Sequence, residues 1–301
     1  MQGWMIALIV IAAVILFIAI VMVVAGAVMF KVILGRRGEY TKGDKPETYG
    51  VDISWFEKDE IKAAKSQLEI TAFDGIKLRA MYLKHPESDG PVKKVAVVQH
   101  GYWATPRSVQ PYAQIFFDRG YDVIMPAARG HDISDGKFVS MAWFDRFDYL
   151  RWVDKAIELY GKDVRIAMMG ISMGGATVIG AAGMEPPPQV KCVIDDCGFS
   201  SQKEEYFSQV RKAPNWLKHV LIFPMDMAVR LKCGYSIYDA DSTQFAKKMT
   251  IPALFFHGEK DAFVPTALGK KLYDASASEE KQLIITPGAV HANRVAVDRE
   301  G

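Results

Sequence analysis

Residues 164–175, VRIAMMGISMGG, narrow the choice of fold more than any other stretch. Val164, Ile166, Ala167, Met168 and Met169 have the length and branching of a buried strand. Beyond the glycines, Ala176, Val178, Ile179, Ala181 and Ala182 continue at helical spacing. Between the two runs stands Gly170-Ile171-Ser172-Met173-Gly174-Gly175. The pattern therefore predicts a strand, a sharp turn with Ser172 at its tip, and a helix. Glycines two before and two after the serine are needed because a Cβ at either place would collide with the neighbouring strand or helix. A serine held this way is strained and exposed, with the positive end of a helix beneath it. The alternative is a serine that only caps a helix.

From residue 93 strands and helices alternate, which calls for a mainly parallel sheet with helices on both faces. Besides the strand before Ser172, strands are expected at 95–99, 121–126, 190–194, 252–256 and 282–286, with helices at 107–119, 143–160 and 265–273. Ahead of them, Asp74-Gly75 between the alternating runs 68–72 and 76–83 reads as a hairpin. Residues 52–66 read as a short helix with Trp55, Phe56, Ile61 and Ala64 on its apolar side. Residues 199–248 interrupt the rhythm, since connections in such sheets are usually far shorter. Their aromatic and apolar residues, at near-helical spacing, predict a small helical cap; an ordinary crossover helix is the alternative.

Residues 3–30 carry no charge. At ~1.5 Å per residue they exceed the ~30 Å hydrocarbon core of a bilayer. A signal peptide would have a basic start and a shorter apolar run, whereas the first basic residue here is Lys31. The expectation is a single transmembrane anchor over 1–34, a polar linker over 35–54 and a globular domain over 55–301. Lys31, Arg36 and Arg37 follow the span, so the positive-inside rule places that domain in the cytoplasm. Read as a flexible chain, residues 31–49 span about 25 Å and hold the domain close to the bilayer. The net charge of +2, with basic residues scattered, argues against nucleic acid as a partner. The three cysteines, Cys192, Cys197 and Cys233, have neither disulfide nor metal spacing.

If Ser172 is a nucleophile, it needs a base to take its proton and an acid to orient that base. On this kind of sheet the acid and then the histidine follow the serine in the chain. Of six histidines, His291, just after the last expected strand, fits. Asp261, in the turn leaving strand 252–256, is the best-placed acid, and Asp195 and Asp196 are the runners-up. Asp196 is read as a supporting hydrogen-bonding residue. The backbone N–H groups of Met173 and Tyr102 are the expected oxyanion donors. Trp103, with Tyr206, Trp216 and Phe223 from the cap, is the expected lining of the substrate pocket.

The segments QHGY, AARGHDISDG, GISMGG, HGEKDAFVP and GAVHA occur in an order and spacing that resemble the α/β-hydrolase superfamily. The chain looks most like its bacterial membrane-anchored branch, related to serine aminopeptidase-like and prolyl-oligopeptidase-like hydrolases, over about residues 55–291. The resemblance implies an α/β-hydrolase fold, with Ser172, Asp261 and His291 as the triad and Tyr102 and Met173 as the oxyanion hole. It also implies cleavage of carboxylic esters with short or medium acyl chains, occasionally peptidase or thioesterase activity, and no cofactor; the cysteine spacing argues for no metal. An aminopeptidase needs acidic groups for a free ammonium; Glu204 and Glu205 are available but read as a solvated helix face. A non-catalytic, membrane-tethered binding module would be expected to lack members of the triad.

The expected partners are a small or amphiphilic ester and the bilayer, because Trp216, Phe223, Met225 and Met227 beside Lys212 and Lys218 suit a membrane surface. On that reading, removing residues 1–34 leaves turnover of short soluble esters nearly unchanged and sharply reduces hydrolysis of long-chain esters presented in vesicles. Members of the superfamily carry a final helix after the histidine loop. Here ten residues follow His291, so that helix is expected to be missing or the sequence to be a fragment.

Overall fold

The computed structural model describes residues 3–36, 38, 51–86 and 92–298, so most of the expected linker lies outside the described residues. Helix α1 (Gly3–Met29) is apolar throughout, and a π-helical turn (Phe30–Leu34) extends it. Together they are long and apolar enough to cross a membrane. A 3₁₀ turn (Ser54–Glu57) and α2 (Asp59–Ala64) then bury Phe56 and Ile61, where a single short helix was expected.

The antiparallel pair β1 (Lys65–Thr71) and β2 (Lys77–Leu83) opens the sheet. Its turn needs the positive φ that Gly75 supplies (+84°). The remaining strands are β3 (Lys94–Gln99), β4 (Asp122–Pro126), β5 (Arg165–Ile171), β6 (Val190–Asp196), β7 (Ala253–Gly258) and β8 (Lys281–Thr286). They form one eight-stranded sheet in the order β1-β2-β4-β3-β5-β6-β7-β8, parallel from β4 onward. Strands β3 and β5 are covered on both faces, which is why they read as continuous apolar runs. The two-residue period sorts their side chains: Val95, Val97, Ile166 and Met168 face one core, and Ala96, Val98, Ala167 and Met169 face the other.

The crossover helices are α3 (Gln110–Phe117), α4 (Asp145–Tyr160) and α5 (Met173–Ala182). Between β6 and β7 come α6 (Gln202–Gln209), α7 (Asn215–Cys233) and α8 (Ser242–Ala246), the helical insertion that the broken rhythm predicts. Helix α9 (Thr266–Ala275) precedes β8. One core packs α4, α5 and α9 against the sheet through Trp152, Val178 and Leu272, and the other packs α3 through Tyr112 and Phe116. A short helix, α10 (Arg294–Val297), follows the His291 loop and buries Val295 in the second core.

A third apolar cluster sits above the carboxyl ends of the strands, where Phe30 and Leu34 join Met173, Phe199, Tyr206 and Met225. Residues 31–36, read from the sequence as the start of a flexible stretch, are packed against the domain. A Cβ on Gly26 would lie 2.2 Å from the carbonyl oxygen of Pro224, so α1 and α7 meet backbone to backbone. Leu34 is buried, and its carbonyl accepts the Val139 N–H at 2.7 Å. The Arg36 guanidinium donates to the carbonyls of Ser134 (2.8 Å), Gly136 (3.2 Å) and Asp132 (3.2 Å). The base of α1 is therefore part of the globular domain, because its apolar side chains and carbonyls find partners there.

Candidate active site

Ser172 stands between β5 and α5 with φ +57°, ψ −115°, a conformation L-residues rarely adopt. Its N–H donates to the Asp196 carbonyl at 2.8 Å. The flanking glycines are steric necessities. A Cβ at Gly170 would lie 2.0 Å from the Gly174 oxygen, and one at Gly174 2.3 Å from the Gln99 oxygen. Gly101 is the third close approach, since a Cβ there would touch that of Ser172 at 3.2 Å.

His291, in the loop after β8, accepts the Ser172 hydroxyl at Nε2 (3.0 Å) and donates from Nδ1 to Asp261 Oδ2 (2.7 Å). Asp261 leaves β7 in a tight turn. Its Oδ1 accepts the N–H groups of Phe263 (3.0 Å) and Val264 (2.9 Å), which fixes the carboxylate in place. Burial alone would raise this carboxyl, but the hydrogen bonds from His257 and His291 outweigh it and hold the group at about 2. An acid that stays charged, an imidazole oriented by it and a serine on the other nitrogen form a chain able to move the hydroxyl proton onto the ring.

The runners-up lie elsewhere. Asp196 accepts the Tyr112 hydroxyl at 2.8 Å, and Arg294 lies 3.6 Å away. Asp195 sits under the start of α5, accepting the Gly198 N–H at 3.0 Å, and burial pushes it up to about 7. Cys197 Sγ joins Asp261 and His291 in the one grouping of potential metal donors among the described residues. These atoms do not suit a metal: burial, then Asp196 and Asp261, push the thiol well above its usual range, and the acid and imidazole are engaged with each other.

His100 shapes the loop bearing Gly101 and Tyr102. It is fully buried, and burial followed by His131 drives it down to about 3, so it is neutral. It donates from Nδ1 to the Gly101 carbonyl (2.7 Å) and accepts the Ala128 N–H at Nε2 (2.9 Å). The ring thus ties the loop after β3 to the loop after β4.

The profile of the family described as serine aminopeptidase, S33, matches residues 90–243 and 225–294, more than half of the chain. The chain belongs to that family of α/β hydrolases. It is 25% identical to the uncharacterized protein YqkD of Bacillus subtilis (strain 168) over 199 residues, which are 65% of this chain and 64% of that one. With a thermostable monoacylglycerol lipase of Bacillus sp. (strain H-257) it shares 23% identity over 228 residues, 70% of this chain and 87% of the lipase. The fold is similar to that of the Pyrococcus furiosus esterase Pf2001, with a TM-score of 0.63 at 17% identity over 89% of this chain and 92% of the esterase.

In this member of the serine aminopeptidase family a cavity of about 300 Å³ reaches Ser172. Tyr102, Met173 and Tyr206 line it, as do Met141, Phe199 and Phe263, side chains that sequence reasoning missed. Met29 and Ile33, from the base of α1, also lie in its wall, with Leu221, Ile222 and Met225 of α7. The other expected pocket residues are outside it: Trp103, Trp216 and Phe223 are 58%, 68% and 51% exposed. For Trp216 and Phe223 the reason is the helical period of α7, which turns Ile222 and Met225 inward and so turns these two out.

Glu205 departs from the solvated-face reading. Glu204 pairs at the surface with Lys271 and accepts the Ser200 hydroxyl. Glu205 is buried in the cavity wall; Oε1 accepts from Gln209 at 2.7 Å, and Oε2 has no hydrogen-bond partner among the described residues. Burial raises its carboxyl to about 7, against the opposing hydrogen bond from Gln209. Below the ordinary value of 4.5 both folded and unfolded chains carry the proton. Between 4.5 and about 7 only the folded chain does, so stability falls as pH rises through that window and levels off above it. Glu205→Gln is therefore expected to stabilise the protein at pH 8 by on the order of 3 kcal/mol, the gap closing below pH ~4.5. Thermal melting of both proteins at pH 4.5 and 8 checks it; an equal gap at both pH values rules the titration out.

Proposed function

We propose that the protein is a serine hydrolase that cleaves carboxylic esters through an acyl-enzyme, with Ser172 as nucleophile, His291 as general base and acid, and Asp261 as the orienting acid. The observation that carries this reading is the hydrogen-bonded run Asp261–His291–Ser172, whose serine opens onto an apolar cavity. Ser172 Oγ attacks the ester carbonyl carbon while its proton passes to His291 Nε2. The backbone N–H groups of Tyr102 and Met173 hold the developing oxyanion. On collapse the C–O bond to the alcohol breaks, and His291 returns the proton to the departing oxygen. Water then repeats the sequence on the acyl-enzyme, releasing the carboxylic acid and restoring the serine. Helix α1 anchors the enzyme as a single span, with the catalytic domain on the cytoplasmic side.

A second reading, hydrolysis at the amino terminus of peptides, is favoured by one observation: the Glu205 carboxyl in the cavity wall, which would face a free ammonium. An ester preference follows from the rest of the wall, which is almost wholly apolar and suits an acyl chain. The test compares p-nitrophenyl esters with aminoacyl anilides on the full-length chain in detergent. Esters are expected to win by about a hundredfold or more in kcat/KM. Faster release from the anilides overturns the assignment in favour of a peptidase.

A further inference from the structure

The wall of the cavity nearest the apolar helix is made by that helix. Met29 and Ile33 lie one turn apart at its base and face the same space as Ser172. The Tyr102 hydroxyl donates to the Ile33 carbonyl, so the residue whose N–H faces the oxyanion in the proposed mechanism is tied directly to the π-helical turn that extends α1. The contact of Gly26 with Pro224 sets α7 against the same turns, and Leu221, Ile222 and Met225 of α7 complete that side.

The depth of these turns follows from length. The 27 residues of α1 extend about 40 Å, against a hydrocarbon core of ~30 Å. A span that begins near Trp4 therefore leaves the hydrocarbon before Gly26, and Met29 and Ile33 come to lie at headgroup depth. Helix α7 has the outer face of a helix lying in that layer. Trp216, Val220, Phe223, Met227 and Leu231 recur at intervals of three and four residues, and all are exposed. Helix α7 meets α1 backbone to backbone at Pro224 and Gly26, so the stripe lies beside the apolar helix, which commits it to one occupant, the lipid bilayer that α1 crosses in the function proposed above.

We propose that the base of α1 is a working part of the acyl-binding site, and that the site is loaded with single-chain acyl esters from the leaflet beside α1 and α7. The inference rests on Ser172 being an esterase nucleophile, and it makes the anchor a specificity element instead of a tether. An ester of one acyl chain places its carbonyl near the headgroup layer and its chain in the hydrocarbon. Passage between the base of α1 and α7 brings the carbonyl to Ser172 without the chain crossing water. Met29 and Ile33 then decide how long a chain fits.

The test uses the full-length chain in phosphatidylcholine vesicles and a series of p-nitrophenyl esters from butyrate to dodecanoate. Met29→Trp and Ile33→Trp, which fill the cavity, are expected to lower the ratio of decanoate to butyrate kcat/KM by about tenfold or more. Met29→Ala and Ile33→Ala are expected to move the same ratio the other way. Val10→Trp, on the exposed middle of α1, should leave the profile where it was. The double variant Phe223→Glu/Met227→Glu is expected to lower, by about tenfold, hydrolysis of monodecanoylglycerol carried in the vesicles relative to butyrate in solution. Fluorophosphonate labelling of Ser172 reads the nucleophile separately. Wild-type labelling with a chain-length profile that none of the Met29 and Ile33 variants moves overturns this inference alone. A wild-type protein that does not label overturns the esterase reading, and the inference with it.

Discussion

Ser172→Ala is expected to lower ester turnover by about 10⁴–10⁶-fold while the protein melts as the wild type does. Alanine keeps the Cβ that the turn already accommodates and adds no atom to it. The backbone N–H bond to the Asp196 carbonyl is untouched, and only the hydroxyl facing His291 Nε2 is lost. Steady-state kinetics on a p-nitrophenyl ester, with a melting curve beside it, check both halves. Retention of more than a few per cent of wild-type turnover sinks the nucleophile assignment.

Asp261→Asn is expected to cost on the order of 10⁴-fold in kcat with little change in KM. The physical reason is the choice of tautomer. Oδ1 is held by the N–H groups of Phe263 and Val264, so an asparagine keeps its oxygen there and presents its NH₂ where Oδ2 was. That amide is a donor facing His291 Nδ1, 2.7 Å away in the wild type. The ring must then carry its proton on Nε2, facing Ser172, and cannot accept the hydroxyl proton. Asp196→Asn is the comparison. Its carboxylate accepts from Tyr112 and lies outside the His291 hydrogen bonds, so its effect on kcat should be smaller by at least about a hundredfold. The opposite ranking would make Asp196 the acid.

How much of this was legible in the chain differs from element to element. The turn at Ser172 was legible because its constraints are local: two glycines are needed wherever a strand reverses so sharply into a helix, and they stand at the required spacing. Asp261 was separable from Asp195 and Asp196 only by rank order along the sheet. What distinguishes them in space is that β7 ends one strand farther from β5, which lets its turn face the loop after β8, whereas Asp196 is taken up by Tyr112 and Asp195 by the Gly198 N–H. The helical character of 199–248 followed from composition and length. Which face of α7 meets the substrate did not, because both faces are apolar and a helix period cannot say which is covered.

Local chemistry alone therefore determined the sheet, the elbow, the order of serine, acid and histidine, and the presence of one long apolar helix. Tertiary packing decided the rest: that Glu205 is buried while Glu204 pairs with Lys271, that Trp103, Trp216 and Phe223 lie outside the cavity, and that Met29 and Ile33 line it. Met29 and Ile33 are separated from Ser172 by well over a hundred residues and belong to a stretch whose composition announces only lipid. No pattern within that stretch marks two of its side chains as pocket walls. The close crossing at Gly26 and the capture of the Leu34 and Ile33 carbonyls bring them there, and those contacts exist only once the chain is folded.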